Sequence, residues 1–260
     1  MLQPFYRLLI ELTNGKWTSF LLKRFARSRI SRIAVPSFAR VYRLNQEDIE
    51  NSFQDFPTLH DLFIRKLRKD ARPVDLSSNA VVSPVDAVIE DIGPIKETSE
   101  IVVKGKIYSI EEMLGDHSVL EKYLNGKYII LYLSPSHYHR IHSPVDGTIT
   151  KQWTLGRKSY PVNKWGLKYG VRTLAKNFRV ITELETQFGH AAVVKVGAMF
   201  VNSIETTHNG SQLKKGEEMA YFSFGSTVVL LFEKGMFEMD SSIHPPKEIK
   251  VGEKIGKIGK

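Results

Sequence analysis

From residue 80 onward the chain is a succession of short β-branched and aromatic runs, at 80–92, 101–103, 128–133, 147–154, 179–184, 191–205 and 219–233, punctuated by Gly, Pro, Asn and Asp. Runs of this kind between turn formers read as strands. Among them only 110–124 reads as a helix, with a short turn at 171–177. This pattern excludes an alternating βαβ protein and requires a β-rich domain. Ahead of it, Thr58-Leu59-His60-Asp61 has the form of an N-cap with an acidic residue three positions on. Leu59, Leu62, Phe63 and Leu67 follow at helical spacing, which predicts a helix over about 59–68.

One turn recurs. Ser83-Pro84-Val85-Asp86-Ala87 returns as Ser143-Pro144-Val145-Asp146-Gly147, each followed by an alternating strand, and Lys250–Gly256 has a similar flavour. Turn-then-strand repeats occur in barrel and sandwich hybrids, including lipoyl- and biotin-carrier domains. A carrier needs a modifiable Lys flanked by Met at a hairpin tip, and no Met-Lys-Met is present. Ser-Pro-x-Asp is also simply a good turn. The expected fold is α+β, mainly β: a barrel- or sandwich-hybrid-like core with amphipathic N-terminal helices.

With 260 residues the chain buries a core without disulfides or metals. It has no Cys, which excludes a disulfide scaffold, a thiolate metal site and a Cys nucleophile, and which fits a reducing compartment. The formal charge is +9, which points to an anionic partner. Residues 1–40 hold eight basic residues against Glu11 alone, so most of that excess lies there. The same segment is rich in Leu, Ile, Phe and Trp. Trp17, Phe20, Leu21 and Phe25 fall on one side of a helix, and Lys16, Lys23 and Arg27 fall away from them. Asn14-Gly15 breaks the segment into two short helices. Basic and apolar residues together describe a helix lying in a membrane interface, and no run reaches the roughly 18 to 20 apolar residues needed to span a bilayer. Nucleic-acid surfaces are rarely this apolar, and no signal peptide is expected, because positive charge follows the apolar run and no small-residue cleavage site is apparent. A basic helical hairpin packed on its own domain is the alternative. The chain thus divides into a basic helical region, 1–57, and a β-rich domain, 58–260.

Few residues have the chemistry for a site. His137, His139 and His142 cluster after the apolar run 129–133. No His-Glu-x-x-His is present, and histidines in a surface turn fit the spacing as well as a metal site does. Between two strand-like runs stands Gly225-Ser226, where the Ser hydroxyl can reach the preceding carbonyl, or where Gly simply marks a bulge. Asp86, His142 and Ser226 are the residue types of an orienter, base and nucleophile set.

Phe224-Gly225-Ser226-Thr227 resembles the [L/F]-G-S-T processing motif of the phosphatidylserine decarboxylases. Tyr138-His139-Arg140-Ile141-His142-Ser143-Pro144 resembles the Y-H-R-x-H-x-P segment of that family, and Ser83-Pro84-Val85-Asp86 its S-P-x-D-G. Leu62–Leu67 with Arg72-Pro73-Val74 resembles its F-F-x-R-x-L…R-P stretch. Lys104–Ser109 and Val196-Gly197-Ala198 match in order too, so the resemblance runs from about 58 to 233. Ala87 and Asn202 stand where the family usually has Gly, and neither change removes a reacting group.

The resemblance implies a pyruvoyl-dependent decarboxylase converting phosphatidylserine to phosphatidylethanolamine and CO2. It implies a proenzyme cut between Gly225 and Ser226 by an Asp86/His142/Ser226 triad, giving chains 1–225 and 226–260. The former Ser226 then carries the pyruvoyl group that forms a Schiff base with the substrate amine, and His139 supports decarboxylation. No metal and no pyridoxal phosphate is expected. Trp17, Phe20, Lys23 and Arg24 become the expected membrane contacts of a peripheral protein on the cytoplasmic face of the cell membrane. The expected partners are anionic lipid, phosphatidylserine and the chain's own two fragments as a heterodimer, with a homodimer of these left open and no nucleic acid. Two other readings give an uncut chain: a membrane-associated serine hydrolase, although Gly-x-Ser-x-Gly is absent, and a non-enzymatic lipid-binding β module.

Overall fold

The computed structural model describes residues 16–103, 106–160, 162, 173–198, 204–223 and 226–259. The expected break at Asn14-Gly15, Asn202, Gly225 and the side chain of Trp17 lie outside the described residues. Six helices are described: α1 (Lys16–Ala26), α2 (Val35–Val41), α3 (Leu59–Phe63), α4 (Ile110–Leu114), α5 (His117–Tyr123) and α6 (Thr173–Lys176). The strands in the first half are β1 (Ala80–Val82), β2 (Ala87–Pro94), β3 (Glu100–Val103), β4 (Lys106–Ser109), β5 (Lys127–Leu133), β6 (Arg140–His142) and β7 (Gly147–Leu155). Those in the second are β8 (Arg179–Thr186), β9 (Gly189–Gly197), β10 (Ile204–Thr206), β11 (Gln212–Leu213), β12 (Glu218–Phe222), β13 (Ser226–Phe232), β14 (Phe237–Met239), β15 (Lys247–Ile249) and β16 (Lys254–Ile258).

One antiparallel sheet of eight strands, in the order β11-β7-β8-β9-β13-β5-β2-β15, organises the molecule. Its centre is β13, Ser-Thr-Val-Val-Leu-Leu-Phe, every residue of which is buried. A strand covered on both faces needs no polar alternation, which explains the continuous apolar run. Val228, Leu230 and Phe232 face a core shared with β1, β6, β12, β14 and β16 of the two small sheets. Val229 and Leu231 face a second core closed by α4, α5 and the β3–β4 hairpin. Burying each of these side chains stabilises the fold by about 1.5–3 kcal/mol. The sandwich half of the expected architecture therefore describes the protein, and no sheet closes into a barrel among the described residues. A third core, built from Val35, Phe38, Ile49, Phe56, Leu62 and Phe63, joins the helical region to the start of the β-rich one.

Two helices differ from the sequence reading. Thr58 does cap α3, its Oγ1 accepting the Asp61 N–H at 3.1 Å, but the helix stops at Phe63. Leu67 instead bridges to Ile49, and the Arg68 N–H donates to the Asp48 carbonyl, so tertiary pairing displaces the last turn. The single helix expected over 110–124 is two, because Gly115 terminates α4 and Asp116 caps α5 through the Ser118 and Val119 amides.

The recurring turn is a local two-fold. Ser83 Oγ donates to the Val85 carbonyl at 2.6 Å, and Ser143 Oγ to the Val145 carbonyl at 2.7 Å. The Val82 N–H donates to the Pro144 carbonyl and the His142 N–H to the Pro84 carbonyl, so the two turns exchange bonds. Each also grips a Lys-x-Gly-Glu turn. The Val251 amide donates to Asp86 Oδ1 at 2.9 Å and the Lys215 amide to Asp146 Oδ1 at 3.0 Å. Gly252 and Gly216 bond the Ser83 and Ser143 carbonyls from φ angles of 85° and 80°, a conformation that favours glycine.

Candidate active site

Ser226 opens β13, paired on one side with Leu133 of β5 and on the other with Gly197 of β9. It is fully buried, and its Oγ has no hydrogen-bond partner among the described residues. Leaving a buried hydroxyl unpaired costs about 1–3 kcal/mol, so an orphan at this position calls for a functional explanation. Gly225, whose carbonyl the sequence reading pairs with this hydroxyl, lies outside the described residues.

His139 belongs to the same corner of the fold. Segment 133–139 begins opposite Ser226, and its far end is fastened by the Phe222 N–H, which donates to the His139 carbonyl at 3.0 Å. Segment 222–226 leads back to Ser226, so both connections span the same two points. The His139 ring is fully buried, with its centroid 3.8 Å from that of Phe63. Its Nδ1 lies 2.9 Å from the His137 carbonyl, which assigns the proton to Nδ1, and Nε2 has no partner among the described residues. Burial, and after it the Arg65 charge, holds this imidazole well below the usual histidine range. Near neutral pH it is an uncharged ring with a free lone pair on Nε2.

His142 ends β6, opposite Glu218 of β12. Its Nδ1 donates to the Gly216 carbonyl at 2.8 Å, leaving Nε2 to accept from the Tyr138 hydroxyl at 3.3 Å. Burial lowers its pKa, against the raising effects of the Gly216 carbonyl, Glu218 and Asp86. Burial pushes the Tyr138 phenol up, so it remains a donor.

Asp86 is buried nearby, but no hydrogen bond joins it to His142 among the described residues. Arg72 holds it bidentately, Nε to Oδ1 at 2.9 Å and Nη2 to Oδ2 at 2.6 Å, while Oδ1 also accepts the Val251 amide. Arg72 reaches on to Asp48 at 3.0 Å. The backbone carbonyl of Gly216, rather than the Asp86 carboxylate, fixes the His142 tautomer, and Asp86 acts on the ring through its charge. Sequence reasoning missed Gly216, Arg65 and Tyr138 as neighbours of the two histidines. The available signal was the second Lys-x-Gly-Glu turn, at 214–217, repeating the one at 250–253.

His137 stands apart from a ligand role: its Nδ1 accepts the Ser134 amide at 3.0 Å and its Nε2 donates to Glu248 at 3.1 Å. No group of three or more His, Asp or Glu side chains that could hold a metal is found among the described residues. In the helical region Phe20, Leu21 and Arg24 are exposed and Lys23 is half-buried. Phe25, Ile30 and Ile33 extend that exposed apolar surface. No described helix is long and apolar enough to cross a membrane.

A family model described as phosphatidylserine decarboxylase matches residues 59–257. Phosphatidylserine decarboxylase proenzymes of Geobacillus sp. (strain WCH70) and Anoxybacillus flavithermus (strain DSM 21510 / WK1) are 60% and 59% identical to the chain over 256 residues. These alignments cover 98% of this chain and 99% and 97% of the relatives. That of Bacillus cereus (strain ATCC 10987 / NRS 248) is 52% identical over 98% of this chain and 97% of its own. A match over most of the chain, with relatives this similar from end to end, establishes that the chain belongs to the phosphatidylserine decarboxylase family of carboxy-lyases.

Proposed function

We propose that the chain is a proenzyme that cuts itself between Gly225 and Ser226 and then decarboxylates phosphatidylserine to phosphatidylethanolamine at a membrane surface. The observation that carries this reading is the Ser226 hydroxyl, buried at the head of the central strand and without a partner among the described residues. In the first step Ser226 Oγ attacks the Gly225 carbonyl carbon. The hydroxyl proton passes to His142 Nε2, which exchanges the Tyr138 hydroxyl for that of Ser226 while its Nδ1 stays on the Gly216 carbonyl. The amide becomes an ester and frees the amine of residue 226. Loss of the Ser226 α-proton expels the Gly225 carboxylate and leaves dehydroalanine. Water then replaces the nitrogen, ammonia leaves, and a pyruvoyl group caps chain 226–260. Asp86 supports the step by charge and by tying Arg72 to the Val251 turn.

The residues present fit that group, since its precursor is a hydroxyl that no other group claims among the described residues. The pyruvoyl carbonyl supplies an electron sink for the bond that releases carbon dioxide, the role pyridoxal phosphate has elsewhere. His139 Nε2 takes a proton from the substrate ammonium and returns it to carbon after carbon dioxide leaves, so the ring ends as it began. The helical region 1–57 serves the membrane and 58–260 the chemistry. Phe20, Leu21, Phe25, Ile30 and Ile33, with Arg24, Arg27, Arg29 and Arg32 exposed among them, support attachment to anionic lipid as a peripheral protein on the cytoplasmic face. Trp17 is placed with them on its helical spacing.

Intact mass under denaturing conditions tests the reading. Two species are expected, the smaller spanning 226–260 and lacking a free amine at its start. One species near 29.6 kDa would overturn it, and labelling of that uncut chain by a fluorophosphonate at Ser226 would make it a serine hydrolase instead.

A further inference from the structure

The His139 imidazole owes its tautomer to one carbonyl, that of His137, and this carbonyl has a second donor. Arg65, just past α3, is buried, and its Nη2 donates to the His137 carbonyl at 3.1 Å and to the Ser136 carbonyl at 3.0 Å. The same stretch touches the histidine once more and its neighbour Arg140 as well. Phe63 lies against the ring, and the Ile64 carbonyl accepts Arg140 Nε at 3.1 Å, fixing the residue after His139. A buried guanidinium is expensive unless its donors are used. Here two of the carbonyls it serves lie in the loop that bears the histidine.

We propose that Arg65 is a positioning residue for His139: its fork holds the Ser136 and His137 carbonyls, and through the latter fixes which ring nitrogen of His139 bears the proton. The inference rests on the role given to His139 above. The other charged groups around the ring are accounted for. His137 faces it from its own loop; Arg72, Asp86 and Asp48 act on Arg65; and Arg140 is paired with Glu218. Arg65 is therefore the cation that bears most on the ring, and its removal makes the ring easier to protonate.

Two variants separate geometry from charge. Arg65→Gln keeps an amide donor and removes the charge, while Arg65→Lys keeps the charge and loses the fork. In the self-cleaved enzyme R65Q is expected to lower kcat on the order of 10- to 100-fold at little-changed KM, since small displacements of a reacting group cost that much. The acid limb of its kcat profile and the NMR titration of the His139 ring both move to higher pH. R65K is expected to lower kcat with the acid limb where the parent has it. A processed R65Q with parental kcat and an unmoved His139 titration overturns the proposal. If R65Q does not fold or process, R65K decides, and parental kcat in a processed R65K overturns it as well. Failure of the underlying reading looks different: H139Q would be cut and turn over at full rate, while the R65Q effect on the His139 ring titration in the parent remained measurable.

Discussion

A lysine shows how a single residue can be at odds with the strand that carries it. Lys195 in β9 is fully buried, donates to Thr182 Oγ1, and forms no ion pair among the described residues. Burial alone pushes its amine down from 10.5 to about 7. The unfolded chain therefore holds a proton that the folded one lacks between about pH 7 and 10.5, and stability must rise with pH across that window. Lys195→Met, of similar length, is expected to stabilise the protein at pH 7 by on the order of a few kcal/mol, with the advantage shrinking toward pH 10. Urea midpoints of S226A and S226A/K195M, both uncut, measure it; a gap independent of pH would refute the assignment. In the apolar run of strand 189–197 Lys195 stands out only as an interruption. Its burial is decided by β8 and β13 on either side, which the local sequence does not record.

Among elements, the segment from α1 through the turn at Arg29–Ala34 leaves more apolar surface uncovered than folding alone would allow. Phe20 is 57% exposed, Ile30 69% and Ile33 84%, each with arginines close in sequence. Burying such side chains in an interface gains about 1.5–3 kcal/mol each, so Phe20→Asp with Ile33→Asp is expected to weaken binding to anionic vesicles on the order of 100-fold or more. Cosedimentation checks this, and an unchanged partition would assign the surface to something other than lipid. Legibility at this scale followed the range of the forces. Thr58 and the strand runs were readable because a cap and an apolar run are local. The end of α3 was not, because Leu67 answers to Ile49. In the site the residues Asp86, His139, His142 and Ser226 were legible as types. Their partners were not: Arg72 competes for the carboxylate and a backbone carbonyl accepts the imidazole N–H, pairings made across the fold.

At the scale of the molecule, the proposed cut falls at the edge of the most buried strand. Fragment 226–260 would keep β13 hydrogen-bonded on both sides, β15 paired with β2, and β16 between β1 and β14. It supplies Val229 and Leu231 to one main core and Val228, Leu230, Phe232, Phe237 and Ile255 to the other, so the fragment cannot leave without opening both. Dilution of the native enzyme should therefore leave the two chains together in size-exclusion chromatography. After urea the uncut S226A chain is expected to refold at a rate independent of concentration, whereas the cut protein recovers poorly and in proportion to concentration. Equal, concentration-independent recovery would contradict this picture.

The paired turns sharpen the consequence. One Lys-x-Gly-Glu turn would belong to the long fragment and grips Ser143–Asp146; the other would belong to the short fragment and grips Ser83–Asp86. Such a symmetric clasp forms readily while one chain links its halves. With the proposed cut made, the same clasp has to form between separate chains, and the protein is held together by the barrier to its opening more than by an easy route back. On that reading, heat damage is made good more readily by a new, uncut copy than by reassembly of the old fragments.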